Sequence, residues 1–397
     1  MITSSRNLLR PRDGHEHARV TYIELFFDLV FVFAITQLSH GLLAHLTVMG
    51  ALETGLLMMA VWWVWIYTSW ITNWLDPELP PVRWMLLILM AAGLVLSSSI
   101  PQAFGDRAMA FAGAQVFIQV GRPLFMLWAL HRHDQGNFRN FQRVTVWFAL
   151  AGVFWIAGAF ASGPAQIAWW AAAIAIEYVS PAVGMWVPGL GRSTVEDWTI
   201  DGAHLAERCA LFIIIALGES VLVTGATFAN LPWHFETIAA FAITFTSSVA
   251  MWLVYFNVGA ERASRKIAQS SKPGELGRNG YTYLHILIVA GIIVTAVGDE
   301  LTLTHPHGHA DLKSTLVILG GPALYLAGNA LFKRLSAPRL PLSHLAGLGL
   351  LILLIPASWF ATPLALSAGA TGVLIIVAQW EWVSLRYRRP PPPEHDH

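Results

Sequence analysis

The chain has 397 residues, 55% of them hydrophobic, 12% aromatic and only 12% charged, with zero formal net charge. A soluble domain carries about a quarter charged residues, so this is the composition of an integral membrane protein, and the lack of a basic balance argues against nucleic acid as a partner. The single cysteine, Cys209, excludes an internal disulfide and a metal–thiolate motif.

Residues 1–21 carry Arg6, Arg10, Arg12 and Arg19 and read as a cytoplasmic arm ahead of a retained first span. Crossing a bilayer takes roughly 20 mostly apolar residues, and twelve such segments follow, near 22–46, 53–75, 83–103, 108–131, 142–162, 165–188, 204–227, 233–258, 280–303, 313–333, 342–360 and 363–383. The expected fold is therefore all-α and polytopic, partnered by the lipid bilayer.

The first span, "IELFFDLVFVFAITQLSHG", sets Glu24 and Asp28 four positions apart among apolar neighbours, which places both on one face of a helix. The second span, "VWWVWIYTSWITNW", reads as an interfacial aromatic belt and packing surface rather than a substrate cage. In the fourth, Arg122 precedes Pro123 in "VGRPLF" at a depth similar to that of Asp28, so a bidentate pairing with Asp28 or Glu24 is expected. Glu177 stands alone in the sixth span. The seventh, "HLAERCALFIIIALGES", puts His204, Glu207 and Arg208 at its start. Glu219, eleven residues beyond Arg208, returns to nearly the same face about 16 Å further along. Charge within a bilayer costs at least about 2.5–3.5 kcal/mol per residue, so these side chains must face protein or a cavity. A carboxylate with no cation nearby on its own helix, as at Glu177 and Glu219, can change protonation near neutral pH.

Glu53, Asp299, Glu300 and Glu381 lie near span ends and read as headgroup residues, and no lysine is expected inside a span, which leaves no Schiff-base lysine. His15/His17, His131/His133, His305/His307/His309 and His395/His397 form alternating pairs and a triplet in expected loops and tails. Of these only "HPHGHAD", with His305, His307 and His309, has a composition suited to a divalent metal. No cofactor motif is present. Neither H-E-x-x-H nor G-x-S-x-G occurs, nor a phosphate-binding P-loop, so any driving energy must come from a gradient. The segment 385–397 is a Pro/His tail.

With the N-terminus in the cytoplasm, 20 of the 24 lysines and arginines fall in cytoplasmic segments and only Arg107 and Lys313 on the opposite face. This positive-inside pattern puts both termini in the cytoplasm and depends on an even number of spans. The sequence also reads as duplicated. "ELFFDLVFVFAITQL" at 24–38 aligns with "ERCALFIIIALGESV" at 207–221, "VWWVWIYTS" at 61–69 with "VAMWLVYFN" at 249–257, "MAAGLVLSS" at 90–98 with "IVAGIIVTA" at 288–296, and "VGRPLFML" at 120–127 with "LGGPALYL" at 319–326. Four matches in one order predict two parallel six-helix halves, 22–190 and 204–384, joined by a cytoplasmic connector at 191–203, a known transporter plan.

"ELFFDLVFVFAITQLSH" together with "HLAERCALFIIIALGES" resembles the bacterial low-temperature-requirement A (LtrA) family across nearly the whole chain. The resemblance implies a polytopic inner-membrane protein linked to growth at low temperature, and the positions matching the motifs are Glu24, Asp28, Glu207, Arg208 and Glu219. Three readings fit the sequence. The leading one is a secondary transporter of a small solute or ion, coupled to protons through Glu219 or Glu177. The alternatives are a membrane enzyme or lipid-acting protein, and a channel or structural membrane protein in which the charged residues serve assembly.

Overall fold

The computed structural model describes residues 7–10, 19–194, 197–257, 259–337 and 339–386. His15/His17, His395/His397 and the tail from residue 387 lie outside them. Among the described residues all regular structure is helical, apart from two isolated β-bridges, Leu9–Leu75 and Val187–Gly191.

The helices are α1 (Tyr22–Ala44), α2 (Val48–Trp74), α3 (Pro80–Ser99), α4 (Ala108–Leu130), α5 (Gln135–Ala159) and α6 (Pro164–Val179). They continue with α7 (Gly202–Ala229), α8 (Phe235–Phe256), α9 (Gly259–Ala268) and the single turn α10 (Pro273–Leu276). A π-helical stretch, Gly277–Leu284, leads into α11 (His285–Thr304), followed by α12 (Leu312–Ser336), α13 (Leu342–Leu354) and α14 (Pro363–Arg386).

The starts of these helices carry local signals that the sequence spells out. Thr47, Asp134 and Asp311 accept hydrogen bonds from the backbone N–H groups of Gly50, Asn137 and Ser314, at 3.0, 3.0 and 2.8 Å, which satisfies donors that the first turn leaves open. Pro80 and Pro164 open α3 and α6 where a missing N–H costs nothing.

Eleven helical segments of the described chain are long and apolar enough to cross a bilayer, so the protein is an all-α, multi-pass membrane protein. The segment expected to span 165–188 is α6, which stops at Val179 after 16 residues. That length rises about 24 Å, short of a hydrocarbon core about 30 Å thick. The chain then turns through Gly184 and Met185, both at positive φ, instead of continuing as helix. Pro123 and Pro322 both lie inside continuous helices, α4 and α12.

Two compact units make up the chain, one of residues 1–219 and 267–286, the other of 220–266 and 287–397. In the first unit, α1, α4 and α6 pack against α2, and α3–α6 follow one another as packed neighbours. From Ala60 to Leu75 every residue of α2 and its C-cap is buried, the signature of a helix enclosed by protein on all sides. Gly158 allows α6 to approach α5, because a Cβ there would lie 2.4 Å from the ring of Trp170. In the second unit α14 packs on α8, α12 and α13.

Candidate functional site

Three helices bring a charged cluster into the interior of the first unit. Glu24 sits in the first turn of α1, where it accepts from the backbone N–H and the hydroxyl of the N-cap Thr21, both at 2.9 Å. The same carboxylate meets Arg10 at 3.0 Å, Arg208 at 3.0 Å and His204 at 3.1 Å. One turn along α1, Asp28 Oδ1 accepts from Arg208 at 2.6 Å and from the Trp65 indole at 2.7 Å. Glu24, Asp28, Arg208 and His204 are all fully buried. Two carboxylates face two guanidiniums, so the charges balance, and α2 lines the cluster with Trp65, over whose ring Arg208 lies at 5.8 Å, and with Asn73 beside His204 at 3.3 Å. Asp28 Oδ2 and Arg208 Nε have no hydrogen-bond partner among the described residues.

A second group also meets α2. Arg122 of α4 donates to the Val64 carbonyl and the Thr68 hydroxyl, each at 2.7 Å, and to the Gln119 side-chain carbonyl. It lies over the Tyr67 ring at 5.7 Å. Glu177 of α6, fully buried, accepts a hydrogen bond from the Trp155 indole at 3.1 Å, and the Gln119 side chain also interacts with its carboxylate. Arg122 and Glu177 interact electrostatically but form no salt bridge. A cation held by neutral oxygens and an acid held by an indole and an amide, with Gln119 between them, are costly inside a membrane protein, and such groups usually mark a site of function.

Clefts lie toward the two ends of α2. One, of about 360 Å³, is lined by Leu57 and Thr54 with His45, Glu53, Gln102 and Asp106. The other, of about 80 Å³, is lined by Tyr67 and Trp70 with Trp198, Glu275 and Arg278. Leu57 and Tyr67 are ten residues apart, about 15 Å along the helix. The residues between them include Trp62, Trp63, Trp65 and Ile66, all at or below 2% exposure. The segment expected as interfacial belt and packing surface is thus a packing surface only, sealed in the core of this unit.

Several sequence expectations change. Arg208, not Arg122, pairs with Glu24 and Asp28, because α7 rather than α4 presents its cation to that face of α1. Glu207 is exposed and takes no part in the cluster; one residue from Arg208, it is rotated by about 100° around the helix. Glu219 is half-buried and accepts a hydrogen bond from Thr36 of α1. No three metal-capable side chains converge among the described residues; His305 instead contacts the Thr304 hydroxyl at 2.9 Å, so the histidine loop gathers no ligand set.

Two span-end acids prove to be interior. Glu381 is buried and binds Lys333 at 2.7 Å and His344 at 3.5 Å. Lys333, at the last position of the span expected over 313–333 and counted there as cytoplasmic, is therefore a buried lysine within α12; a lysine in the last turn of an apolar helix looks like a headgroup residue until its acid on another helix is known. Asp299 is only 4% exposed. Arg10, Asn73 and Lys333 are the residues that sequence reasoning missed around these charges, and the one available signal was polar side chains inside otherwise apolar runs.

Comparison with known proteins fits this frame. The family model for the bacterial low temperature requirement A protein (LtrA) matches residues 19–379. An uncharacterized protein of Rhizobium meliloti (strain 1021) is 41% identical over 384 residues, covering 95% of this chain and 92% of that protein. No solved structure matches. The matched region takes in the α1, α2 and α7 residues that meet at the buried charges, and on its extent the chain belongs to the bacterial low temperature requirement A (LtrA) family.

Proposed function

We propose that the protein is a secondary transporter of a small solute, that the first unit carries the translocation path along α2, and that Glu177 carries a coupled proton. The observation that carries this reading is the pair of clefts toward opposite ends of α2, separated by a fully buried aromatic segment beside which Arg122 and Glu177 lie without a mutual salt bridge. A path blocked by packed side chains, rather than open throughout, is what alternating access requires. Neutralising Glu177 by protonation removes the partner charge of Arg122 and gives the two ends of the unit a reason to exchange accessibility.

The duplicated-half reading gains support from α1 and α7. Asp28 meets Arg208, and further along both helices Thr36 meets Glu219, so α1 and α7 run in the same direction. Thr36 and Glu219 are 183 residues apart, the offset at which 24–38 aligns with 207–221 in the sequence. Equivalent positions touching each other is what an axis along the membrane normal between two parallel halves, 22–190 and 204–384, produces. The lysine and arginine distribution favours cytoplasmic termini in a bacterial inner membrane, a reading that requires the short α6 and the turn after it to carry the chain back across the bilayer.

The test is reconstitution into vesicles loaded with the pH dye pyranine, challenged with a library of small solutes. A solute-evoked change in lumenal pH, abolished by Glu177→Gln in a protein that still reconstitutes as a monodisperse species, is the expected result. Proton flux unchanged in Glu177→Gln would remove the coupling role, and no solute-evoked flux with the wild type would turn the assignment toward an enzyme or structural protein.

A second role is favoured for Glu24, Asp28 and Arg208. Their charges are mutually satisfied and Glu24 also caps α1, so we assign this trio to locking α1 against α7 rather than to handling solute.

A further inference from the structure

Asp299 stands apart from the path along α2. It lies on α11 in the second unit, 4% exposed, and Oδ2 has no hydrogen-bond partner among the described residues. The buried acid of this unit at Glu381 has Lys333 against it; among the described residues no lysine, arginine or histidine forms an ion pair with Asp299. The carboxylate faces a small cavity whose walls come from four helices: Ser247 of α8, Thr295 of α11, Ile318 and Pro322 of α12, and Ser367 and Thr371 of α14. Its free space is about 10 Å³ for the centre of a water-sized sphere, the room of one water or one desolvated ion.

The chemistry of the wall is oxygen throughout its polar part. Thr295 already donates its hydroxyl proton to the Gly291 carbonyl at 2.8 Å, which leaves its oxygen lone pairs to accept. Pro322 has no N–H, so the carbonyl of Ile318, four residues earlier on α12, loses its helical donor, and both residues line the cavity. α11 and α12 approach closely here: a Cβ on Gly298 would lie 3.1 Å from Ile318 Cα, and one on Gly321 2.5 Å from the Thr295 backbone nitrogen. Only small residues permit that approach between helices.

We propose that this cavity is a binding site for one small monovalent cation of the size of sodium, with Asp299 supplying the charge and the hydroxyls of Ser247, Thr295, Ser367 and Thr371 and the Ile318 carbonyl supplying neutral oxygen. One carboxylate balances one positive charge, whereas calcium and magnesium sites ordinarily draw on more than one acid or on retained waters, for which this cavity has no room. The inference does not depend on the transporter assignment: a cation held here could drive transport or could only brace α8, α11, α12 and α14.

The experiment is binding of radioactive sodium to the full-length protein purified in detergent, with choline replacing sodium at constant ionic strength, alongside thermal unfolding. Expected are saturable sodium binding and a melting temperature that rises with sodium but not with choline, both lost in Asp299→Asn. Should Asp299→Asn fail to fold, Thr371→Val and Ser367→Ala keep the charge and are expected to weaken sodium binding by about tenfold or more. Absence of saturable sodium binding in the wild type overturns the proposal. So does binding that persists in Asp299→Asn, binding unchanged in both hydroxyl variants, or stabilisation by acid alone with no response to sodium, which would make the site a proton site.

Discussion

Arg208 concentrates the argument at the level of single residues. It is fully buried, touches both acids of α1 at 3.0 and 2.6 Å and lies over Trp65. Burying a matched pair gains little over apolar packing, but removing one member leaves an uncompensated charge and costs about 3–5 kcal/mol. Arg208→Met is therefore expected to lower unfolding stability in detergent by about that amount, and adding Asp28→Asn to it should restore a measurable part. A double-mutant cycle by thermal or denaturant unfolding measures the coupling; additive losses would show that the pair does not hold α1 to α7. The sequence made the acids legible and named Arg208 among the candidates, yet it matched the acids with Arg122. Hydropathy locates a charge along a helix axis, and both arginines lie at workable depths. Which cation faces α1 depends on which helix packs beside it, and that is decided by contacts far apart in the chain. The same limit applies to Glu207 and Arg208, adjacent in the motif and opposite in environment.

Whole helices were legible to the extent that their signals are local. Runs of apolar residues mark α1–α5, α7, α8 and α11–α14, with capping residues at α1, α2, α5 and α12, whereas the polar α9 carries no such signal. Helix α6 came out shorter than its apolar composition suggested, since Pro181 has no N–H for the Glu177 carbonyl, which takes the Ser180 hydroxyl instead. The uninterrupted burial of α2 could not be read from its tryptophans, since a membrane-interface helix and an enclosed one share that composition. Local signals also carry a testable energy at the start of α12. Asp311, outside the helix, accepts from the side chain and the backbone N–H of Ser314, which lowers its carboxyl below the ordinary 3.8. A folded value below the unfolded one means the contribution is complete above the ordinary Asp range and is lost as pH falls through the lowered folded value. Asp311→Ala is expected to loosen the first turn of α12 by about 1 kcal/mol at neutral pH. Faster amide hydrogen exchange at Ser314 and Thr315 would report it, with the difference between variant and wild type shrinking in acid. Equal exchange in both proteins at neutral pH would mean the cap does not hold this turn.

For the whole molecule, the transporter reading makes a geometric demand that composition could not state: the two clefts along α2 must open to opposite sides of the membrane. Thr54 lines one and Thr194 the other, and the native Cys209 is fully buried, so a cysteine placed at either threonine reports with little background. Thr54 lies near the start of α2 and Thr194 shares a cleft with Tyr67 and Trp70 nearer its other end, so on the proposed topology the first faces outside and the second inside. Thr54→Cys should react with a membrane-impermeant thiol reagent added to the outer face, and Thr194→Cys only in inverted vesicles. Because Trp62, Trp63 and Trp65 fill the distance between them, neither position should react from both faces in a resting protein. Reaction of both from one face would leave no path through this unit, and the buried charges around α2 would then be an assembly device. Reaction from opposite faces, with a solute that protects one cysteine while exposing the other, would identify α2 as the element around which access changes.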